Sequence, residues 1–229
     1  GKGAFGEAWR GYAMDGLGTS VVLKRLFLQF GDEGAKEGLR EVYFGQLIAS
    51  SKKTQHLARY LAHFEDDRTD SFWVVYRDEG VSLYQFVFTV VPGPNPIMAP
   101  SISWTALRED PDAVRELLKG ALTGLRNLHQ LGITHRDVKM ENVFVKPASR
   151  MSKNHEPHPF INARTARLGD FGSAVRMSMS PKVEDVATCT REMKNLFPAG
   201  GPGPGEETMR CQPPEALDIS IPQDYMRLP

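Results

Sequence analysis

The stretch Thr134-His135-Arg136-Asp137-Val138-Lys139-Met140-Glu141-Asn142 sets an aspartate, a lysine two residues on and an asparagine three further in one short run. Phosphoryl transfer uses such a set: a carboxylate to take a hydroxyl proton, a cation near the moving group and an oxygen ligand for a metal. A charged surface turn after a helix would account for the polarity of the run, but not for the order of its residues. Just upstream, Val114, Leu117, Leu118, Ala121, Leu122, Leu125 and Leu128 recur at intervals of three and four between Asp110-Pro111 and Gly132. This period predicts a helix with its apolar stripe in the core, holding the loop that begins near His135.

Three other segments carry compatible chemistry. Gly1-Lys2-Gly3-Ala4-Phe5-Gly6-Glu7-Ala8 is a glycine-rich turn that lets backbone N–H groups approach phosphate oxygens with no Cβ in the way. The same pattern opens dinucleotide-binding folds. Phe5 and the strand-like residues after it suit a β-hairpin lid instead, and a lysine closes the next strand where a ribose-binding acid would be expected. That lysine, Lys24 in Val21-Val22-Leu23-Lys24, can reach the α- and β-phosphates of a nucleotide when a carboxylate holds it. Glu41, on a helix predicted over residues 33 to 49, is the preferred partner because Val42 and Leu47 give that helix a buried side beside it; Glu37 is the competitor. Leu168-Gly169-Asp170-Phe171-Gly172 supplies an acidic metal ligand, Asp170, to accompany Asn142.

The order of glycine turn, Lys24, Glu41, His135-Arg136-Asp137 and Asp170-Phe171-Gly172 resembles the protein kinase catalytic domain throughout. Thr208-Met209-Arg210-Cys211-Gln212-Pro213-Pro214-Glu215 is similar to that family's segment ending in Ala-Pro-Glu, with Pro213 for the alanine and Cys211 where an aromatic residue is usual. The resemblance implies an α+β, two-lobed fold: a β-rich ATP-binding lobe over residues 1–78 and an α-rich catalytic lobe over 79–229, incomplete at its C-terminal end. It implies ATP and Mg2+, with Gly1, Lys2, Gly3, Ala4, Phe5 and Gly6 over the phosphates, Lys24 held by Glu41, and Asp170 and Asn142 on the metal. Ala8 and Val22 would cover the adenine from above and Phe144 from below. Val75 would guard the back of the pocket, and the backbone near Tyr76, Arg77 and Asp78 would reach the adenine edge.

In the same family, Asp137 orients and deprotonates the acceptor hydroxyl of a protein substrate and Lys139 stabilises charge on the transferred group. Asp-Val-Lys, rather than the tyrosine-kinase pattern, favours serine or threonine as acceptor. Thr208 would face Asp137 and Lys139, and His135 would pack near Phe171. Gly45 falls where the family sets an apolar side chain against Phe171, so either Glu41 is misassigned or that packing column has a gap. Ser173 to Gln212 is expected to be regulatory, with a phosphate on Thr188 or Thr190 pairing with Arg136.

Composition narrows the alternatives. Lys+Arg and Asp+Glu balance at 28 each, which gives no ground for a nucleic-acid or anionic-membrane partner, and no apolar run approaches the length of a membrane span. Cys189 and Cys211, without metal-ligand spacing, suit the cytoplasm or another reducing compartment. Strands are predicted over Gly6 to Tyr12, Ser20 to Phe27 and Phe72 to Tyr76. Loops are predicted from Pro92 to about residue 108, from 146 to 165 and from Pro198 to Gly205. His155-Glu156-Pro157-His158 reads as a solvated loop, because a proline between the histidines rules out a helical metal pair. Two other functions compete: a nucleotide-binding pseudokinase scaffold, which would typically lose Lys24, Asp137 or Asp170, and a small-molecule phosphotransferase, which would not be expected to carry both Lys139 and the Pro-Pro-Glu segment. Regulatory partners are not marked.

Overall fold

A computed structural model describes residues 6–14, 16–27, 32–69, 71–146 and 165–176. Strands β1 (Gly6–Tyr12) and β2 (Ser20–Phe27) form as the sequence predicts. With β3 (Tyr60–Asp66) and β4 (Ser71–Arg77) they make an antiparallel sheet in the order β1-β2-β4-β3. Strand β3 was not among the predicted strands. It is an edge strand whose central residues are all exposed, so it carries no apolar alternation to read.

Directly opposed residues of antiparallel strands point to the same side. The registers Ala8–Lys24–Val74, Arg10–Val22–Tyr76 and Gly6–Leu26–Phe72 therefore define one face. Helix α1 (Asp32–Ala49) covers it: Leu26, Phe72, Val74 and Tyr76 share a buried core with Val42, Phe44 and Leu47 of that helix. Burying each large apolar side chain contributes about 1.5–3 kcal/mol, which is what fixes the helix against the sheet. The other face carries Leu23, Arg25, Trp73 and Val75. There Phe64 stacks on Trp73 with ring centroids 5.8 Å apart, and the Arg25 guanidinium sits 5.6 Å from the same ring.

The second part begins with β5 (Val81–Ser82), α2 (Leu83–Val87) and β6 (Phe88–Val91). The loop predicted from Pro92 is corrected by the structure. Pro92 to Pro96 only turn the chain into β7 (Ile97–Pro100), which pairs with β6, and α3 (Ile102–Leu107) follows. Ser101 caps α3 by accepting from the Trp104 amide at 3.0 Å. Elements of four and six residues show too few repeats for periodicity to reveal them.

Helix α4 (Pro111–Gln130) has the expected limits, with Asp110 capping the Asp112 and Ala113 amides and Gly132 at φ 70° beyond its end. Its stripe is only partly core. Leu117 and Leu128 are buried, whereas Leu118 and Leu122 are 55% and 65% exposed among the described residues. The remaining strands are β8 (Ile133–Thr134), β9 (Val143–Val145), β10 (Arg167–Leu168) and β11 (Val175–Arg176). Of the loop predicted over 146 to 165 only the two ends are described, and Pro198 to Gly205 and the His155 to His158 run lie outside the described residues.

The segment between α1 and β3 straps the two parts together. Asn127 of α4 donates to the Gln55 carbonyl at 2.8 Å, and Leu168 and Ala58 exchange backbone bonds with His56 and Leu168 at 2.9 and 2.8 Å. Helix α4 approaches this closely because Gly124 has no side chain; a Cβ there would stand 2.4 Å from the His56 carbonyl oxygen.

Candidate active site

Two loops meet because strands clamp them at both ends. β8 pairs with β11, Thr134 opposite Val175, and β9 pairs with β10, Val143 opposite Leu168. The chain between β8 and β9 and the chain between β10 and β11 are thus held side by side. They are stitched further at their centres. The Gly169 amide donates to the Asn142 carbonyl at 2.9 Å, and His135 Nε2 donates to the Gly169 carbonyl at 3.0 Å. His135 Nδ1 accepts the Asp137 amide at 3.2 Å, which fixes the neutral tautomer with its proton on Nε2. Burial lowers its pKa in the same sense. Its ring meets Phe171 edge-on at 5.7 Å. Arg136 and Asp170 adopt left-handed backbone, φ 66° and 65°, a conformation that side chains other than glycine hold only when their surroundings enforce it.

Asp137 is the centre of the first loop. Its Oδ2 receives Lys139 Nζ at 2.7 Å and Asn142 Nδ2 at 3.0 Å, and Asn142 Nδ2 also reaches the Asp137 carbonyl at 2.9 Å. The other oxygen, Oδ1, is buried with no hydrogen-bond partner among the described residues. An unpaired buried acceptor is costly, so this oxygen is a site for an incoming donor. Because Asn142 donates through its amide nitrogen, it presents Oδ1 as its acceptor atom.

Lys24 reaches over from the sheet. Its ammonium lies 2.7 Å from Glu41 Oε2 and 2.9 Å from Asp170 Oδ1. Glu41 is 1% exposed, so it depends on this cation for compensation. Between the two glutamates left open by the sequence, the structure sets Glu41 at Lys24; the Glu37 side chain lies outside the described residues. Burial pushes the Asp170 carboxyl up, but the charge and hydrogen bond of Lys24, with smaller help from His135 and Lys139, bring it below the usual value.

The gap expected at Gly45 is filled from a neighbouring strand. A Cβ on Gly45 would stand 2.7 Å from Cδ2 and 2.8 Å from Cγ of Tyr60, whose ring occupies the space that a side chain at 45 would need. Tyr60 thus takes up the space beside Gly45, and it is the 2.7 Å contact with Lys24 that places Glu41. Gly45→Leu is expected to destabilise the protein by about 1–3 kcal/mol through overpacking. Adding Tyr60→Leu should restore part of that loss, read by urea unfolding of the two single variants and the double.

The residues expected around a nucleotide base fall in several places. Ala8 and Val22 share the face of Lys24, and Phe144 lies in β9 opposite Arg167 and Ser82. Val75 does not share that face. It pairs with Leu23, so it points away from Lys24, and Tyr76 stands on the Lys24 side instead. Tyr76 is buried beside Glu41 and Asp170; burial first, then those negative charges, push its phenol well above the usual value. Asp78 holds the chain after β4: its carboxylate accepts from Ser20 Oγ and the Gly80 amide, both at 2.9 Å, and its own amide donates to the Ser20 carbonyl. Gly1 to Phe5, Thr188, Thr190, Thr208 and the Pro213-Pro214-Glu215 segment lie outside the described residues. Sequence reading missed Tyr60, and it named Tyr76 only for its backbone, not for a side chain on the Lys24 face. Strand phase relative to Lys24 would have pointed to Tyr76, but only once the β2–β4 register was known.

A model of the protein kinase domain family matches residues 1–193. The chain belongs to the protein kinase domain family. A probable inactive protein kinase of Arabidopsis thaliana is 31% identical to this kinase domain over 225 residues, covering 79% of the chain and 56% of the relative. A serine/threonine-protein kinase of Myxococcus xanthus, pkn2, is 29% identical over 174 residues, 76% of the chain and 17% of the relative. The chain thus spans about half the length of the first of these curated relatives and a small share of the second. A solved kinase domain superposes with a TM-score of 0.59 at 15% identity, covering 99% of this chain and 59% of that one, which shows the two-lobed α+β kinase fold.

Proposed function

We propose that this kinase domain transfers the γ-phosphoryl group of ATP to serine or threonine hydroxyls of protein substrates, with residues 1–78 and 79–229 as its two lobes. The observation that carries the reading is the Asp137 carboxylate, one oxygen held by Lys139 and Asn142 and the other buried without a partner among the described residues. In this reading Oδ1 accepts the proton of the acceptor hydroxyl, and Lys139 stabilises charge on the transferred group. The turn Gly1 to Gly6 and Lys24 position the phosphates. Ala8 and Val22 cover the base, Phe144 supports it, and Tyr76, in place of Val75, closes the back. Asp170 and Asn142 offer the oxygen donors that Mg2+ takes, and the ion, when bound, offsets phosphate charge. A reducing, cytoplasm-like compartment completes the reading; no helix among the described residues is long and apolar enough to cross a membrane.

The name of the Arabidopsis relative, a probable inactive kinase, favours a second reading, in which the domain binds nucleotide and partners without transfer. The presence of Lys24, Asp137 and Asp170 together weighs against it. Incubating the full-length protein with radiolabelled ATP, Mg2+ and a peptide library separates the two. Label on serine or threonine is expected. Nucleotide binding with no transfer to any peptide, to the protein itself or to an aminoglycoside would establish the scaffold.

A further inference from the structure

Glu79 follows β4 in the connection to β5, inside an Asp-Glu-Gly run that reads as a solvated turn. Its side chain is instead only 4% exposed. Both carboxylate oxygens are engaged: Arg59 approaches as a fork, Nε 2.7 Å from Oε1 and Nη2 2.8 Å from Oε2, and Arg167 Nε lies 3.1 Å from Oε2. Arg167 also donates through Nη1 to the Leu57 carbonyl at 2.8 Å. The three residues come from three different places. Arg59 leads into β3 of the sheet lobe, Glu79 sits in the connection, and Arg167 opens β10, three residues before Asp170. Hydrogen bonding to Glu79 raises the Arg59 pKa, whereas burial lowers that of Arg167 against the pull of Glu79.

We propose that the Arg59–Glu79–Arg167 cluster is a positioning clamp that holds the strand carrying Asp170 in register with the sheet lobe, so that Asp170 meets Lys24. A buried carboxylate held by two guanidiniums favours the geometry in which both are in place, because moving either arginine away leaves the Glu79 charge only half compensated in a site 4% exposed. Rotation of one lobe against the other about residues 77–80 must shear this cluster. The backbone bonds beside it, Arg77 to Arg59, Ala58 to Leu168 and Leu168 to His56, run between the same elements and would loosen with it. In the structure the clamp is closed and Lys24 and Asp170 are 2.9 Å apart. The clamp thus favours the assembled site and does not restrain it. Glu79 touches neither Lys24 nor Asp170 and acts through β10.

The inference rests on the kinase reading only in its consequence for nucleotide. It is tested by hydrogen exchange on the full chain without nucleotide and by Mg-ATP affinity, in Glu79→Gln and in Arg167→Lys. The lysine variant keeps the charge but loses the planar fork, so it serves should the glutamine variant fail to fold. Exchange at the Ala58, Leu168 and Gly169 amides is expected to rise at least about tenfold in Glu79→Gln and less in Arg167→Lys. The β1–β2 ladder should exchange as in the wild type, and Mg-ATP should bind more weakly in the same order. A uniform rise that includes β1–β2 would mean general destabilisation and would overturn the clamp, as would unchanged exchange at the three amides or unchanged affinity where exchange has risen. A wild-type chain that does not bind Mg-ATP defeats the kinase reading, and the exchange pattern then decides the clamp alone.

Discussion

Asp137→Asn is expected to lower phosphoryl transfer by about 10²- to 10⁴-fold, the usual contribution of a positioned general base, while leaving Mg-ATP affinity unchanged. The geometry explains both halves. Asparagine can keep an oxygen where Oδ2 now receives Lys139 at 2.7 Å and Asn142 at 3.0 Å, so the loop retains its internal bonds. Its amide group then falls where Oδ1 lies buried without a partner, and an NH2 there donates a proton when an acceptor is needed. The nucleotide contacts assigned to Lys24 and Asp170 are untouched. Steady-state turnover and calorimetric binding on the full-length protein check the two halves separately. Near-normal turnover would remove Asp137 from the catalytic role. Loss of binding along with turnover would show that the loop had collapsed.

Features fixed by local chemistry were legible before the structure, and features fixed by register were not. The limits of β1, β2 and α4 follow from strand propensity, the Asp110 cap and the Gly132 stop. The partner of Lys24 was narrowed to one helix face and not to one residue, because Glu37 and Glu41, four apart, share that face; the contact at 2.7 Å sets Glu41 there. Val75 and Tyr76 are adjacent in an apolar strand, and single-strand reading cannot tell which of two neighbours faces Lys24. The register with Leu23 and Val22 decides it. The filling of Gly45 by Tyr60 joins residues of two different elements through a ring that no periodicity marks. Glu79 is harder still. Its sequence context is that of an exposed turn, and only the arrival of Arg59 and Arg167 makes burial of its charge tolerable.

Asp170→Ala is expected to remove the metal-dependent part of nucleotide binding. Losing a ligand should cost at least the roughly 10- to 100-fold in metal affinity that loss of an outer partner costs. ATP affinity measured with Mg2+ should fall toward the value measured with EDTA, and unchanged Mg-ATP affinity with unchanged metal dependence would defeat the assignment. Lys24 keeps Glu41 at 2.7 Å, so the ammonium stays compensated and the fold should persist. The free protein supplies an independent check through pH. Asp170 is held below its ordinary value, net of a burial effect that acts the other way, chiefly by Lys24. A depressed carboxyl contributes stability that is present above its unfolded pKa of 3.8 and is lost as pH falls through the folded one. The wild type should therefore be more stable than the alanine variant near neutrality, and the difference should shrink on acidification below that value. A stability difference that does not change with acidity would mean that the Lys24–Asp170 contact at 2.9 Å does not hold the carboxylate in solution. In that event the metal site would have to be completed by another group.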